Sequence, residues 1–488
     1  MESFLPQRAV NRRSLLAGAA AACGSLAMPG VATAATTPDR LPGCADMWRW
    51  VESMVCFGPR FTGSPAHRGW IDYLDRTLGS FGLTVQRFPT PLKYWNATAW
   101  ALTVTDVRGD RHDIPVAYYW PYSGSTPPGG VTGQLIDTGA GLGSADLTGK
   151  IVLADRPLTK INVGDLAPLV LAAKPATLLT DAAHEDYSRV YALNQYTPDP
   201  VTAKQRGALG VISILPLTAA DANGQFSPHQ QPHGGVPGLQ LDRAQGARLR
   251  ELTKQGPVTA TVTLTADTDD HATIDYLAAK LPGNGSRKGA VLVMTHTDGQ
   301  NAIEENGAAA VLAMAQHYTR LPRSQRDRDI HFVFSPAHMT ASDAGVHPEV
   351  WLRQNPDISG QLVAAVVPEH LGTMNWTNGG GTGPWLPDGQ RELLILGVGN
   401  SDSLTRLVID ELRASDLDRT VVAGPHGDLY GEATGPYLFG IPTVTAISGP
   451  NYLLQVAPDS GLHKLDPELA HSQTRLLTAI TTKLLQAA

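Results

Sequence analysis

The residues best placed to do chemistry close one apolar run, Val291-Leu292-Val293-Met294-Thr295-His296-Thr297-Asp298. Side chains i and i+2 of a strand share a face, so His296 and Asp298 emerge together at its end. A carboxylate in that position can fix an imidazole and leave its second nitrogen for a metal ion. Glu305 follows seven residues after Asp298 and, with Glu304 and Asn306, opens the next amphipathic stretch. Acids in a first helical turn also answer to the helix dipole, so Glu305 counts as a ligand only in the company of other donors. Other familiar chemistries lack their residues. There is no Gly-x-Ser-x-Gly elbow, and His184-Glu185 meets Ser188 where a zincin helix needs its second His. Gly143–Lys150 misses the P-loop spacing by one residue and is followed by Ile151.

The elements that must position His296 alternate in type. From Thr273 onward, apolar strands at Ala290–His296, Ile330–Phe334, Leu362–Val367, Leu393–Leu396 and Thr443–Ile447 are spaced by helical patterns at Glu304–Tyr318 and Ser403–Ala414. A last helix starts at Pro467. Such alternation predicts a mostly parallel sheet with helices on both faces, and sites at the C-terminal ends of its strands. Residues 45–82 read as helix, with Trp48, Val51 and Val55 and then Ile71, Leu74 and Leu78 at helical spacing around the turn at 58–65. Leu83–Phe88 alternates as a strand. Between Pro89 and about Asp270 the texture is different, with short β-rich runs such as Ala101–Val104 and Lys150–Ala154 among Gly/Pro turns. Asn378–Gly381 reads as a turn.

The chain has 488 residues, 42% of them apolar and 17% charged, so it can bury large cores and is no disordered chain. Paired arginines Arg12-Arg13 precede an Ala-rich apolar run that ends in Ala32-Thr33-Ala34, the pattern of a twin-arginine export signal over residues 1–34. Removing those residues takes the formal charge from -7 to -9. A mildly acidic exported protein is not built to hold nucleic acid. No later stretch is long and apolar enough to span a membrane, which predicts a secreted or periplasmic protein. Cys44 and Cys56 then remain, and in an oxidising compartment they can be bridged or left as two thiols.

The order of these segments resembles the M28 family of zinc aminopeptidases. Gly58-Pro59-Arg60-Phe61-Thr62-Gly63-Ser64-Pro65 with Ile71-Asp72-Tyr73-Leu74 is similar to the family's opening region. Leu281-Pro282-Gly283, the His296-Thr297-Asp298 strand end, Gly440-Ile441-Pro442-Thr443-Val444 and Ala457-Pro458-Asp459 follow in the family's order. The middle resembles an inserted protease-associated (PA) domain, with Gly133-Gln134-Leu135-Ile136, Leu147–Leu153 and Gly207–Ser213 as its phrases. The resemblance implies an α/β zinc-peptidase (phosphorylase/hydrolase-like) domain, mostly parallel, from 41–92 and 271–488. A β-rich PA-like domain would be inserted at 93–270.

For the site, the resemblance implies His296 as a zinc ligand, Asp298 as its orienting partner, Glu305 in the place of a metal-bridging Asp, and Glu369 as a further ligand. Where the family has paired glutamates after Phe332-Val333-Phe334, this chain has Ala337-His338-Met339. Where it has a late His, this chain has Gln455. Thioether and amide are weak donors to zinc, which speaks against a second zinc on the family pattern. His296, Glu305 and Glu369, with His338 and His370 nearby, suffice for one metal ion and a base. His338 is the candidate base because imidazole titrates near neutral pH. His426 and His463 sit in late loops, expected at the surface. The implied activity is metal-dependent hydrolysis of a peptide or related amide bond. A protein that kept the fold and binds a peptide or glycan without turnover is the alternative.

Overall fold

The computed structural model describes residues 40–193, 198–230, 232–340, 349–457 and 460–487. The export signal expected at 1–34 lies outside the described residues, as do Pro458 and Asp459. Ala290–His296 is buried at every position, as a continuously apolar strand must be when both sheet faces are covered. It runs parallel to Asp329–Ser335 on one side and Leu362–Pro368 on the other. Thr443–Ser448 continues the parallel order, and Leu394–Gly399 then pairs with it antiparallel. Fifteen of the described strands join in one mixed sheet, flanked by helices.

Helix Gly307–Arg320 is apolar nearly all round and correspondingly buried. Cys44–Val55, Pro65–Ser80 and Pro467–Gln486 pack against it. Ser64 and Asp466 cap two of these by accepting backbone N–H bonds, each with proline as the first helical residue. A Cβ on Gly307 would collide with the Pro368 carbonyl oxygen. Only glycine lets this helix start directly against the neighbouring strand end.

The middle of the chain is β-rich, as its turn-dense texture predicts. Val131–Ala140, Lys150–Asp155, Gly210–Ile214 and Gly238–Leu241 pair in parallel succession. They meet the α/β half through Thr259–Leu281, a strand of 23 residues. Its first residues pair with Val131–Gln134, its last with Ile330–Phe334. One apolar cluster spans the junction, with Ile151, Leu153 and Ile212 packed in the same group as Ile303, Met339 and Leu454. Val170–Lys174 is a strand of the same stretch with a different partner. It leaves the middle segment and pairs with Thr420–Ala423 at the far edge of the α/β strands. Asn378–Gly381 turns between Met374–Thr377 and Leu386–Arg391, which pair as a separate hairpin. Cys44 and Cys56 are free thiols. No described helix is long and apolar enough to cross a membrane.

Candidate metal centre

Three adjacent parallel strands end on the same side and each delivers donors there. His296 is the last residue of its strand, His338 follows Ser335 by three residues, and Glu369 and His370 follow Pro368 directly. The Nδ1 of His296 donates to the backbone carbonyl of Asp298 at 2.9 Å. The Nδ1 of His370 donates to the carbonyl of Ser448 at 2.8 Å. A carbonyl only accepts, so each ring in its neutral form carries its proton on Nδ1 and turns an Nε2 lone pair inward. Both Nε2 atoms are buried without a hydrogen-bond partner. His370 holds this pose at φ 51°, a left-handed conformation that few non-glycine residues adopt.

Carboxylates face those lone pairs at distances too long for hydrogen bonds. Glu369 Oε2 is 3.8 Å from His296 Nε2 and 4.0 Å from His370 Nε2. Glu304 lies 3.6 Å from both His338 Nε2 and His370 Nε2. Two overlapping donor groups result, His296–Glu369–His370 and His296–Glu304–His338, with ligand atoms within 4.8 Å of one another. Two donors each about 2.0–2.2 Å from one tetrahedral zinc stand roughly 3.4 Å apart, so small closures would suffice. Buried orphaned lone pairs on Glu304, Glu369, His296 and His370 fit a cation between them.

The electrostatics point the same way. Burial alone would lower His296, yet Asp298, Glu369 and Glu432 push it up to about 10. Burial alone would raise Glu304, yet His370, His338 and His296 hold it down at about 2. A buried pocket that draws a proton onto His296 and keeps Glu304 charged is one that favours positive charge.

Asp298 is buried and acts mainly on the backbone. Its carboxylate accepts the N–H of His338 at 2.9 Å, the N–H of Met339 at 2.9 Å and the Thr62 hydroxyl at 2.6 Å. Its nearer oxygen is 3.6 Å from His296 Nδ1, so the ring is oriented by the Asp298 carbonyl more than by its carboxylate. The loop that Asp298 clamps sends His338 into the site and Met339 into the apolar cluster. Glu305 is not brought to the donor groups. Its Oε1 is held by Arg60, with both side chains fully buried, and its Oε2 is buried without a hydrogen-bond partner. Glu304, one residue earlier, faces the imidazoles instead. Gln455 also lies elsewhere, donating to the carbonyls of Ala220 at 2.9 Å and Asn223 at 3.1 Å. His426 and His463 are exposed.

Two residues at the site carry no signal in the sequence reading. Glu432 sits in the short 3-10 turn Gly431–Ala433, buried, with Oε1 3.3 Å from His338 Nδ1. Its backbone N–H donates to Glu369 at 2.8 Å. His229 comes from the middle segment, its ring 5.5 Å from that of His338. A cavity of about 500 Å³ opens over the donors. Its lining includes His229, Gln230, Glu304, His338 and His370 together with Tyr187, Tyr191, Leu429, Tyr430 and Ile447.

Solved structures that share this arrangement of elements include several peptidases. A Peptidase M28 precursor from Shewanella amazonensis SB2B superposes with a TM-score of 0.65 at 16% identity, over 91% of this chain and 93% of that one. The zinc aminopeptidase BSAP from Bacillus subtilis gives 0.62 at 16% identity, over 91% and 96%. An aminopeptidase from Aneurinibacillus sp. strain AM-1 gives 0.59 at 15% identity, over 90% and 93%. No family model matches the sequence, and no curated protein matches it. The chain therefore has an M28 aminopeptidase-like α/β fold, with its His/Glu cluster at the strand ends where such sheets gather their sites.

Proposed function

We propose that the protein is an exported zinc-dependent hydrolase of peptide or related amide bonds. The observation that carries this is the pair of buried imidazoles, His296 and His370, each locked by a carbonyl with its Nε2 turned toward Glu369 or Glu304. His296, Glu369 and His370 would hold one ion; Glu304 and His338, with His296 shared, offer a second group. When bound, zinc supplies a Lewis acid for an amide carbonyl and lowers the pKa of water. The chain's own residues do the rest. Glu432, 3.3 Å from Nδ1 of His338, orients that ring and can hold a proton with it. Asp298 fixes the loop that presents His338. Tyr187, Tyr191 and Tyr430 in the cavity lining give an apolar side chain a place beside the donors. Export is supported by Arg12-Arg13 and the small-residue stretch at 32–34.

The binding-only alternative rests on Met339 and Gln455, but neither side chain stands among the donors. Turnover of aminoacyl and peptidyl anilides by chelated and zinc-reconstituted protein tests the reading. Zinc should restore turnover in the parent chain and not in His296→Ala. Full activity in metal-free protein, or none on any substrate after zinc is bound, refutes it.

A further inference from the structure

We infer that His229 is a catalytic residue supplied by the middle segment, hydrogen-bonding the amide under attack from the lining of the cavity. The inference rests on the hydrolase reading and assigns a substrate contact to a part of the chain outside the strand-end cluster. His229 is 8% exposed. Its Nδ1 is buried with no hydrogen-bond partner, a state a merely structural histidine rarely tolerates. The ring lines the same cavity as Glu304, His338 and His370, 5.5 Å from the His338 ring.

The loop that carries His229 is tied down on both sides, so its side chain is placed in advance. The Phe226 N–H donates to the Leu454 carbonyl at 2.9 Å. Arg156 donates to the Ser227 carbonyl at 2.7 Å. Gln230 donates to the carbonyl of His338 at 3.1 Å, which couples this loop to the one bearing the candidate base. His233 stacks on Tyr122 with ring centroids 4.5 Å apart. Held so, an imidazole costs little reorganisation when substrate arrives, and preorganised donors of this kind weigh most where charge develops. The same cavity is lined by tyrosines and aliphatic side chains as well as by His229 and Gln230, so it suits an amide that carries an apolar group.

The test compares the parent with His229→Phe, His229→Gln and His229→Asn, all zinc-loaded. Phe keeps the ring and removes both nitrogens, whereas Gln and Asn place an amide near Nε2 or Nδ1. Turnover of the best anilide and calorimetric binding of a phosphinic dipeptide, which imitates the tetrahedral transition state, are read alongside zinc content and melting temperature. His229→Phe should lower kcat/KM and phosphinate affinity at least tenfold, mostly in kcat, with zinc content and melting unchanged. Gln or Asn should recover part of the loss. Parent-like affinity and turnover in His229→Phe overturn this inference and leave the hydrolase reading intact. A loss that tracks zinc content or melting in all three variants also overturns it, since the role would then be structural. A parent chain that neither binds the phosphinate nor cleaves any amide defeats the hydrolase reading, and this inference with it.

Discussion

Replacing Arg60 by methionine decides how Glu305 is used. Arg60 and Glu305 are both fully buried, and the guanidinium holds the carboxylate through Nε. Its other nitrogens donate to the carbonyls of Met54 at 3.1 Å and Asn301 at 2.5 Å and to that of Gly58. Arg60→Met keeps much of the volume and strands a carboxylate beneath the His296 strand end. Breaking a buried pair from one side costs about 3–5 kcal/mol, a large share of a fold held by about 5–15 kcal/mol. Glu305→Gln keeps the shape and an acceptor, so its cost should be that of one charged hydrogen bond, about 1.5–3 kcal/mol. The double variant Arg60→Met/Glu305→Leu leaves neither charge and should be more stable than the sum of its parts. Urea unfolding of chelated protein measures these losses, and elemental analysis of the folded variants measures zinc per chain. Zinc content should be untouched by Glu305→Gln and reduced by Glu304→Gln. If Glu305→Gln sheds zinc while its urea midpoint stays at the parent value, Glu305 is a ligand and the pairing argument is wrong.

Gly431→Ala should weaken zinc binding at least tenfold while the chain still unfolds cooperatively, because the new Cβ would collide with the Glu369 carboxylate; calorimetric titration reads this directly, and parent-like affinity contradicts it. Gln455→His should add no zinc, since that side chain is spent on the Ala220 and Asn223 carbonyls; one more ion per chain would show that the loop is misplaced. Burial, and then Lys280, hold His331 down at about 4. The unfolded chain takes up a proton near pH 6.5 that the fold refuses, so this residue's contribution is lost as pH falls from about 6.5 toward 4. Between about pH 7 and 4.5, His331→Leu should therefore lose less stability than the parent in urea unfolding; equal losses would remove His331 from the account.

The strands of the α/β half are legible in the sequence because burial on both faces demands unbroken apolar runs, and those runs end where the chemistry begins. Ala290–His296 matches its sequence reading residue for residue. Helical spacing predicts the next helix from Glu304, but it starts at Gly307. Asn301 explains the difference. Its side chain accepts the N–H groups of Ile303 and Glu304, and its amide donates to the Leu453 carbonyl. This local turn precedes the helix and rotates Glu304 rather than Glu305 toward the imidazoles, a phase that helical spacing does not carry. Glu432 belongs to a single 3-10 turn with no periodicity of its own. His229 lies in a Gln/His/Pro-rich loop whose composition says only that it is a loop. Both are placed by partners distant along the chain, contacts that no local pattern encodes. Val170–Lys174 escapes a sequence reading for a related reason: a short edge strand with no fully buried position carries little apolar signal.

The loop after Ser335 gives its two consecutive residues His338 and Met339 different surroundings. Asp298 accepts the N–H groups of both His338 and Met339 and so fixes the bend at which the two side chains part. One fills the apolar cluster and one enters the site. A methionine suits the first place because its flexible thioether packs into irregular gaps. The identity of residue 339 therefore says little about metal binding, and that of residue 338 says much. The imidazole at 338 lies between two carboxylates, with Glu304 3.6 Å from its Nε2 and Glu432 3.3 Å from its Nδ1. Glu432 reaches that ring from another element of the fold, the 3-10 turn Gly431–Ala433. Substituting Glu432 and His338 together should consequently disturb zinc affinity less than the two single changes predict, as expected for residues that act as one charged unit. Calorimetric zinc titration of the two single variants and the double variant completes the cycle, and strictly additive losses would show that the two side chains act independently.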